Sequence, residues 1–194
     1  MICRCKIIDK QTPYRGFFEL DVYQLRHELF AGGWSNEVCR EQLSRGRAVA
    51  VLLHDPNTDQ VLLVEQFRIG AIADPQGPWM LEIIAGIVEN GEQDEAVARR
   101  EAQEEAGCEL ISVEPIADYY PSAGGCSETI RIYYAPLDLS AVKPGIHGLA
   151  DENEDISTLL VSHNTAMAWL KQGKIRSSMT IIALQWLALK KAGS

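Results

Sequence analysis

At 194 residues, 46% hydrophobic and 23% charged, the chain is long enough for one well-packed domain or a domain with a small appendage. A formal net charge of −9 argues against a general binder of the nucleic-acid backbone, which needs a broad basic surface, and leaves room for a small anionic ligand met by local cations. Five cysteines, no paired CxxC units, no signal-like leader and no run near the ~20 apolar residues of a membrane span point to a cytoplasmic protein without a disulfide framework, structural zinc site or membrane partner.

Residues 1–45 hold short strand-like pieces, 3–8 and 17–25, around Tyr14-Arg15-Gly16-Phe17-Phe18. Cys3 and Cys5 alternate as the small apolar side chains of a strand do, which is favoured over a metal pair. The region is too polar to bury much alone and is expected to be a small N-terminal β region packed on something else, ahead of a main domain at 46–194. Apolar runs at 48–53 and 61–67 flank His54-Asp55-Pro56-Asn57-Thr58-Asp59, whose turn chemistry predicts a hairpin.

A third strand is predicted at 79–84. Residues 93–106 are rich in Ala, Glu and Arg without Pro or Gly, so they form a helix that Gly107 ends. Further strands are expected at 112–119, 130–135 and 156–161. Ser162 caps a helix through Leu170, stopped near Gly173, and 178–191 reads as a last amphipathic helix. Before these two helices, 136–155 carries Pro144, Gly145, Gly148 and the acids Asp151, Glu152, Glu154 and Asp155, and is expected to be a long exposed loop, a kind of segment often used for function. Mixed strands and few helices without βαβ alternation indicate a layered α/β or α+β domain rather than a doubly wound sheet.

The helix at 93–106 has an unusual face. Glu101 and Glu105 lie one turn apart, with Glu104 three residues beyond Glu101, near the end where the helix dipole disfavours anions. Exposed like charges at this spacing cost roughly a few tenths of a kcal/mol per pair. A hard divalent cation would compensate them, and Mg²⁺ commonly takes one or two carboxylates while keeping waters and phosphate oxygens. On acidic spacing alone, a solvated helix face remains the commoner explanation.

The wider context changes that balance. Gly86, five residues, Glu92, seven residues, then Arg100-Glu101-Ala102-Gln103-Glu104-Glu105-Ala106-Gly107-Cys108 fills every fixed position of a 23-residue pattern, G-x5-E-x7-R-E-U-x-E-E-x-G-U with U apolar. It resembles the Nudix box. The resemblance implies an α/β/α sandwich with a mixed sheet, in which the box forms loop–helix–loop, and hydrolysis of a nucleoside diphosphate linked to another moiety. By position it makes Glu101 and Glu105 metal ligands, Glu104 a ligand or its support, and the Ala85 carbonyl a further ligand. Arg100 would orient the acids, and Glu92 could pair with it.

Outside the box, Tyr119-Tyr120-Pro121-Ser122-Ala123-Gly124-Gly125-Cys126-Ser127-Glu128 and Gly145-Ile146-His147-Gly148-Leu149-Ala150-Asp151-Glu152-Asn153-Glu154-Asp155 resemble segments of bacterial ADP-ribose pyrophosphatases. So do Tyr14-Arg15-Gly16-Phe17-Phe18, Trp79-Met80-Leu81-Glu82 and Ile181-Ile182-Ala183-Leu184-Gln185-Trp186-Leu187, although Ala123 stands where many of them have a second Pro. This resemblance implies a homodimer whose N-terminal regions are exchanged, cleaving ADP-ribose to AMP and ribose 5-phosphate with Mg²⁺, or with Mn²⁺ in its place. Phe17 would stack on adenine, Arg40 would reach the nucleotide from the partner subunit, and Arg68 would contact the diphosphate. Pro121 and Glu128 would belong to the loop at the terminal ribose. Glu152 is the first choice for the base that activates water, and Glu154 the second. The plainer alternatives are a core aromatic for Phe17 and surface ion pairs for Arg40 and Arg68. Competing functions are a GDP-mannose or other nucleotide-sugar pyrophosphatase and a non-catalytic nucleotide-binding module; work on nucleic acids, such as decapping, is disfavoured by the charge balance.

Overall fold

The computed structural model describes residues 4–148 and 153–193. It divides into two compact units, Met1–Gly46 with Tyr120–Thr129, and Arg47–Tyr119 with Ile130–Ser194.

The first unit is a three-stranded antiparallel sheet of β1 (Cys5–Arg15), β2 (Glu19–His27) and β3 (Val38–Ser44) in that order. Strand β1 is longer than expected, and β3 was not foreseen because its sequence, Val38-Cys39-Arg40-Glu41-Gln42-Leu43-Ser44, is mostly polar. Its backbone still finds partners: Leu43 N–H donates to the Gly125 carbonyl at 2.7 Å, and Ser127 N–H donates to the Leu43 carbonyl at 3.0 Å. These bonds, with Arg45 N–H to Ser127 Oγ at 2.9 Å, fasten Tyr120–Thr129 to the end of β3. Almost all of β1 is exposed on both faces.

The second unit is an eight-stranded sheet between helices. It contains β4 (Arg47–Asp55), β5 (Gln60–Phe67), β6 (Trp79–Glu82), β7 (Ile84–Val88), β8 (Glu114–Tyr119), β9 (Thr129–Pro136), β10 (Ile146–His147) and β11 (Ile156–Ser162). The main path runs β10-β11-β5-β4-β9-β8, with β6 on β5 and β7 on β4. Both central strands are continuous apolar runs because both of their faces are covered. From β4, Val49, Val51 and Leu53 pack with Val97, Ala98, Ala102 and Ala106 of α1 (Asp94–Ala106). Ala50 and Leu52 point the other way, to Ala166 of α2 (His163–Lys171) and Ala183, Leu184 and Leu187 of α3 (Ser178–Ala192). The α/β/α sandwich expected from the sequence is therefore the fold observed.

Two departures bear on the site. The strand expected at 79–84 is divided: β6 pairs with β5 and β7 with β4. At the join, the Ile83 N–H leaves the ladder and donates to Thr180 Oγ1 of α3 at 3.0 Å. The stretch expected as an exposed loop at 136–155 also contains structure, with Leu139 in the core and β10 paired to β11.

Candidate active site

The carboxylates come from α1. Asp94 and Glu95 in its first turn complement the helix dipole, and Asp94 is held by Arg47 and, at 3.2 Å, by Arg131. At the other end Gly107 adopts φ 64°, the left-handed region that favours glycine, and its N–H donates to the Gln103 carbonyl at 2.9 Å. Cys108 N–H reaches the Ala102 carbonyl at 3.0 Å, and its buried thiol anchors the turn as the apolar residue expected there. Val97, Ala98, Ala102 and Ala106 bury one stripe of the helix, and the i, i+4 repeat sets Glu101 and Glu105 along the edge of that stripe.

Glu105 is 3% exposed, and its Oε2 has no hydrogen-bond partner. Burial pushes its carboxyl up to about 8, aided by the charges of Glu101 and Glu154 and opposed by Arg68 and the Ala85 N–H. Glu101 is pushed up to about 7, again by burial first, with Arg100 opposing and Glu104 and Glu154 adding to the rise. Its carboxylate lies against Gly86 of β7 so closely that a Cβ there would overlap it. Arg100 Nη1 spans Glu101 Oε1 at 2.9 Å and Glu104 Oε2 at 3.1 Å, and its Nε is 3.8 Å from Glu92 Oε1. Arg68 Nε donates to the buried Glu82 at 2.7 Å.

The second unit thus brings together Arg68, Glu101, Glu104, Glu105 and Glu154, whose charges act on Glu101 or Glu105, and Ala85, whose N–H bonds Glu105. Glu152 lies outside the described residues, as does Cys3. Among the described residues, no group of three or more His, Cys, Asp or Glu converges as a ready metal cage. Glu101 and Glu104 instead pair with the Arg100 guanidinium. The donor set still fits a hard cation, because Mg²⁺ needs only one or two carboxylates. Glu105 also offers a buried oxygen without a proton donor, beside a second carboxylate raised chiefly by burial.

The remaining expected residues belong to the first unit. Phe17 is 81% exposed in the turn after β1, edge-on to Phe18, so it is not a core aromatic. Arg40 is exposed on β3 and donates to the neighbouring Cys39 carbonyl at 2.7 Å. Pro121 is exposed, and Glu128 pairs with Arg45 at 3.0 Å. Sequence reasoning gave no role to Gln66 and Glu82, two buried polar residues of β5 and β6; Gln66 follows Glu65 in a strand of mixed character, so nothing local singles it out.

The family model of the NUDIX domain matches residues 44–180. The ADP-ribose pyrophosphatase of Escherichia coli (strain K12) is 48% identical over 184 residues, which cover 95% of this chain and 88% of that protein. That of Haemophilus influenzae is 47% identical over 190 residues, 96% of this chain and 87% of the other. A GDP-mannose pyrophosphatase of Citrobacter koseri is 33% identical over 149 residues, 76% of each. A solved structure described as an ADP compounds hydrolase superposes with a TM-score of 0.73 at 18% identity, covering 98% of this chain and 95% of that one, a likeness of fold. With every fixed position of the box in place from Gly86 of β7 through α1 to Cys108, and the family match spanning most of the sequence, the chain belongs to the Nudix family.

Proposed function

We propose that this protein hydrolyses ADP-ribose to AMP and ribose 5-phosphate with Mg²⁺. The observation that carries the reading is the 48% identity, over 95% of the chain, to ADP-ribose pyrophosphatases, against 33% over 76% for a GDP-mannose pyrophosphatase. Nudix ADP-ribose pyrophosphatases depend in general on a divalent metal. Here Glu101 and Glu105, with Glu104 and the Ala85 carbonyl, would hold it. A cation bound there would neutralise diphosphate charge and polarise the phosphorus under attack.

The protein's own groups do the rest. Arg68 presents a guanidinium fork to phosphate oxygens, and Arg100 holds Glu101 and Glu104 in register. Phe17 offers an aromatic face to adenine, while Arg40, Pro121 and Glu128 contribute to binding the nucleotide and the terminal ribose. Glu152 takes the proton of the attacking water, with Glu154 as the alternative base. We further propose a homodimer with exchanged N-terminal regions. The nearly full exposure of β1, with Ile7 59% and Ile8 53% exposed, supports a partner for this sheet.

Release of AMP from ADP-ribose and of GMP from GDP-mannose, measured in parallel, tests the substrate; faster turnover of GDP-mannose would transfer the reading to that nucleotide sugar. Glu152→Gln should preserve Mg²⁺ and substrate binding and cut turnover by roughly 10²–10⁴-fold. A loss below about tenfold, short of that range, moves the role to Glu154.

A further inference from the structure

Gln66 is a polar residue at the end of a buried strand with no internal reason to be there. It is 7% exposed, and its Nε2 is fully buried without a hydrogen-bond partner. A buried donor left unmade costs about 1–3 kcal/mol, which an acceptor from outside the fold would relieve.

The register fixes where that acceptor must come from. Residues two apart on a strand share a face. Val64 faces α1, so Gln66 does too, and the backbone of Arg68 remains extended (φ −127°, ψ 110°), which carries the alternation one step further. Glu82, opposite Val64 in the pairing of β5 with β6, receives Arg68 Nε at 2.7 Å and so shares the face. Gln66 therefore stands between Val64 and Arg68, opposite Met80 and diagonal to Glu82. Arg68 in turn acts on Glu105. On the other side, β11 pairs Ser157 with Glu65, which brings Ile156 beside Gln66, and β10 pairs His147 with Ile156.

We infer that Gln66 is a substrate-contact residue whose carboxamide N–H donates to a non-bridging oxygen of the bound nucleoside diphosphate, next to the guanidinium of Arg68. The chemistry favours this acceptor. Arg68, a cation on this face, is already engaged by Glu82. A neutral donor adds a phosphate contact without needing a counter-ion of its own. The inference rests on the proposed diphosphate chemistry but not on which sugar is attached.

The experiment compares wild type with Gln66→Met, which keeps length and volume without polar atoms, and Gln66→Glu, which replaces the donor by an anion. KM and kcat are measured on ADP-ribose and GDP-mannose with Mg²⁺, and the thermal shift produced by ADP is measured alongside. For Gln66→Met, KM should rise roughly 10- to 100-fold, as for loss of a hydrogen bond to a charged group. Its kcat should stay within about threefold, the signature of lost uniform binding. The ADP-induced shift should shrink, while the ligand-free protein should melt no lower than wild type, since an unsatisfied donor has been removed. Gln66→Glu should raise KM at least as far. A folded Gln66→Met with KM within about twofold of wild type, or with kcat alone reduced, overturns the inference. If Gln66→Met does not fold, Gln66→Asn withdraws the amide by one methylene and must show the same rise in KM. Should wild type cleave neither sugar nucleotide, the proposed function fails, and the ADP shift still decides Gln66: a shift equal in wild type and Gln66→Met, or none in wild type, overturns it.

Discussion

Glu105 stands one turn beyond Glu101 on α1, and the charge of Glu101 adds to burial in pushing the Glu105 carboxyl up to about 8. The two acids are thus held together against their own repulsion, in a helix whose other buried positions are apolar apart from Asp94. The energy for this comes from the Val97, Ala98, Ala102 and Ala106 stripe, which fixes the helix on the sheet whatever the carboxylates prefer. The cluster is a site of stored electrostatic cost, and a bound cation would relieve it.

That cost makes stability depend on pH. The folded-state values of about 7 for Glu101 and about 8 for Glu105 both lie above the ordinary 4.5. Stability from this pair is therefore fully present below the unfolded value and is lost as pH rises through the folded ones. In EDTA the melting temperature should fall between pH 5 and pH 8.5, to the extent that these two groups govern it. With saturating Mg²⁺ the fall should flatten or reverse, because the cation favours the ionised forms. Scanning calorimetry across that range checks both, and a metal-free melting temperature that climbs steadily through pH 8 would contradict the assignment.

Glu105→Gln separates stability from function. The amide keeps the shape and removes the buried charge, so at pH 8 in EDTA the variant should melt at or above wild type. Hydrolysis should drop by roughly 10²–10³-fold, the scale seen when one electrostatic group is removed from a reacting centre. A variant that is both less stable without metal and still active would place Glu105 in a purely structural role.

Gly86→Ala probes the contact between β7 and α1. The added Cβ would overlap the Glu101 carboxylate, which must then swing out of place. Because the backbone of Gly86 needs no special conformation, secondary structure should be intact by circular dichroism. The Mg²⁺ concentration for half-maximal activity should rise about 10- to 100-fold, as when support for a metal ligand is removed. An unchanged Mg²⁺ requirement would show that Glu101 is free to reposition.

Thr180→Val tests the join between β6 and β7. Its hydroxyl oxygen is fully buried and accepts the Ile83 N–H at 3.0 Å. Valine leaves that N–H unpaired and should destabilise the protein by about 1–3 kcal/mol in urea unfolding. Thr180→Ser should recover much of it by keeping the acceptor; equal losses in both variants would point to lost packing instead.

How much of this was legible in the sequence follows from how local each signal is. The hairpin of β4 and β5, the Ser162 cap, which accepts Thr165 N–H at 3.1 Å, and the Gly107 stop rest on short-range chemistry and appear where the residues predict. Strand β3 did not, because polar residues hide the pattern and its pairing is non-local. The division at Ile83 was equally hidden, since its partner Thr180 is 97 residues away.

The spacing of Glu101, Glu104 and Glu105 along one helix was determined by sequence alone, because an α-helix converts intervals of three and four into a shared face. Only the tertiary structure decided what that face meets. Burial against the sheet, Gly86 beneath Glu101, Arg68 near Glu105 and the unpartnered amide of Gln66 all depend on strands remote in the chain. The helical repeat sets where carboxylates stand relative to one another; desolvation and the charges of distant neighbours set how strongly they hold their protons.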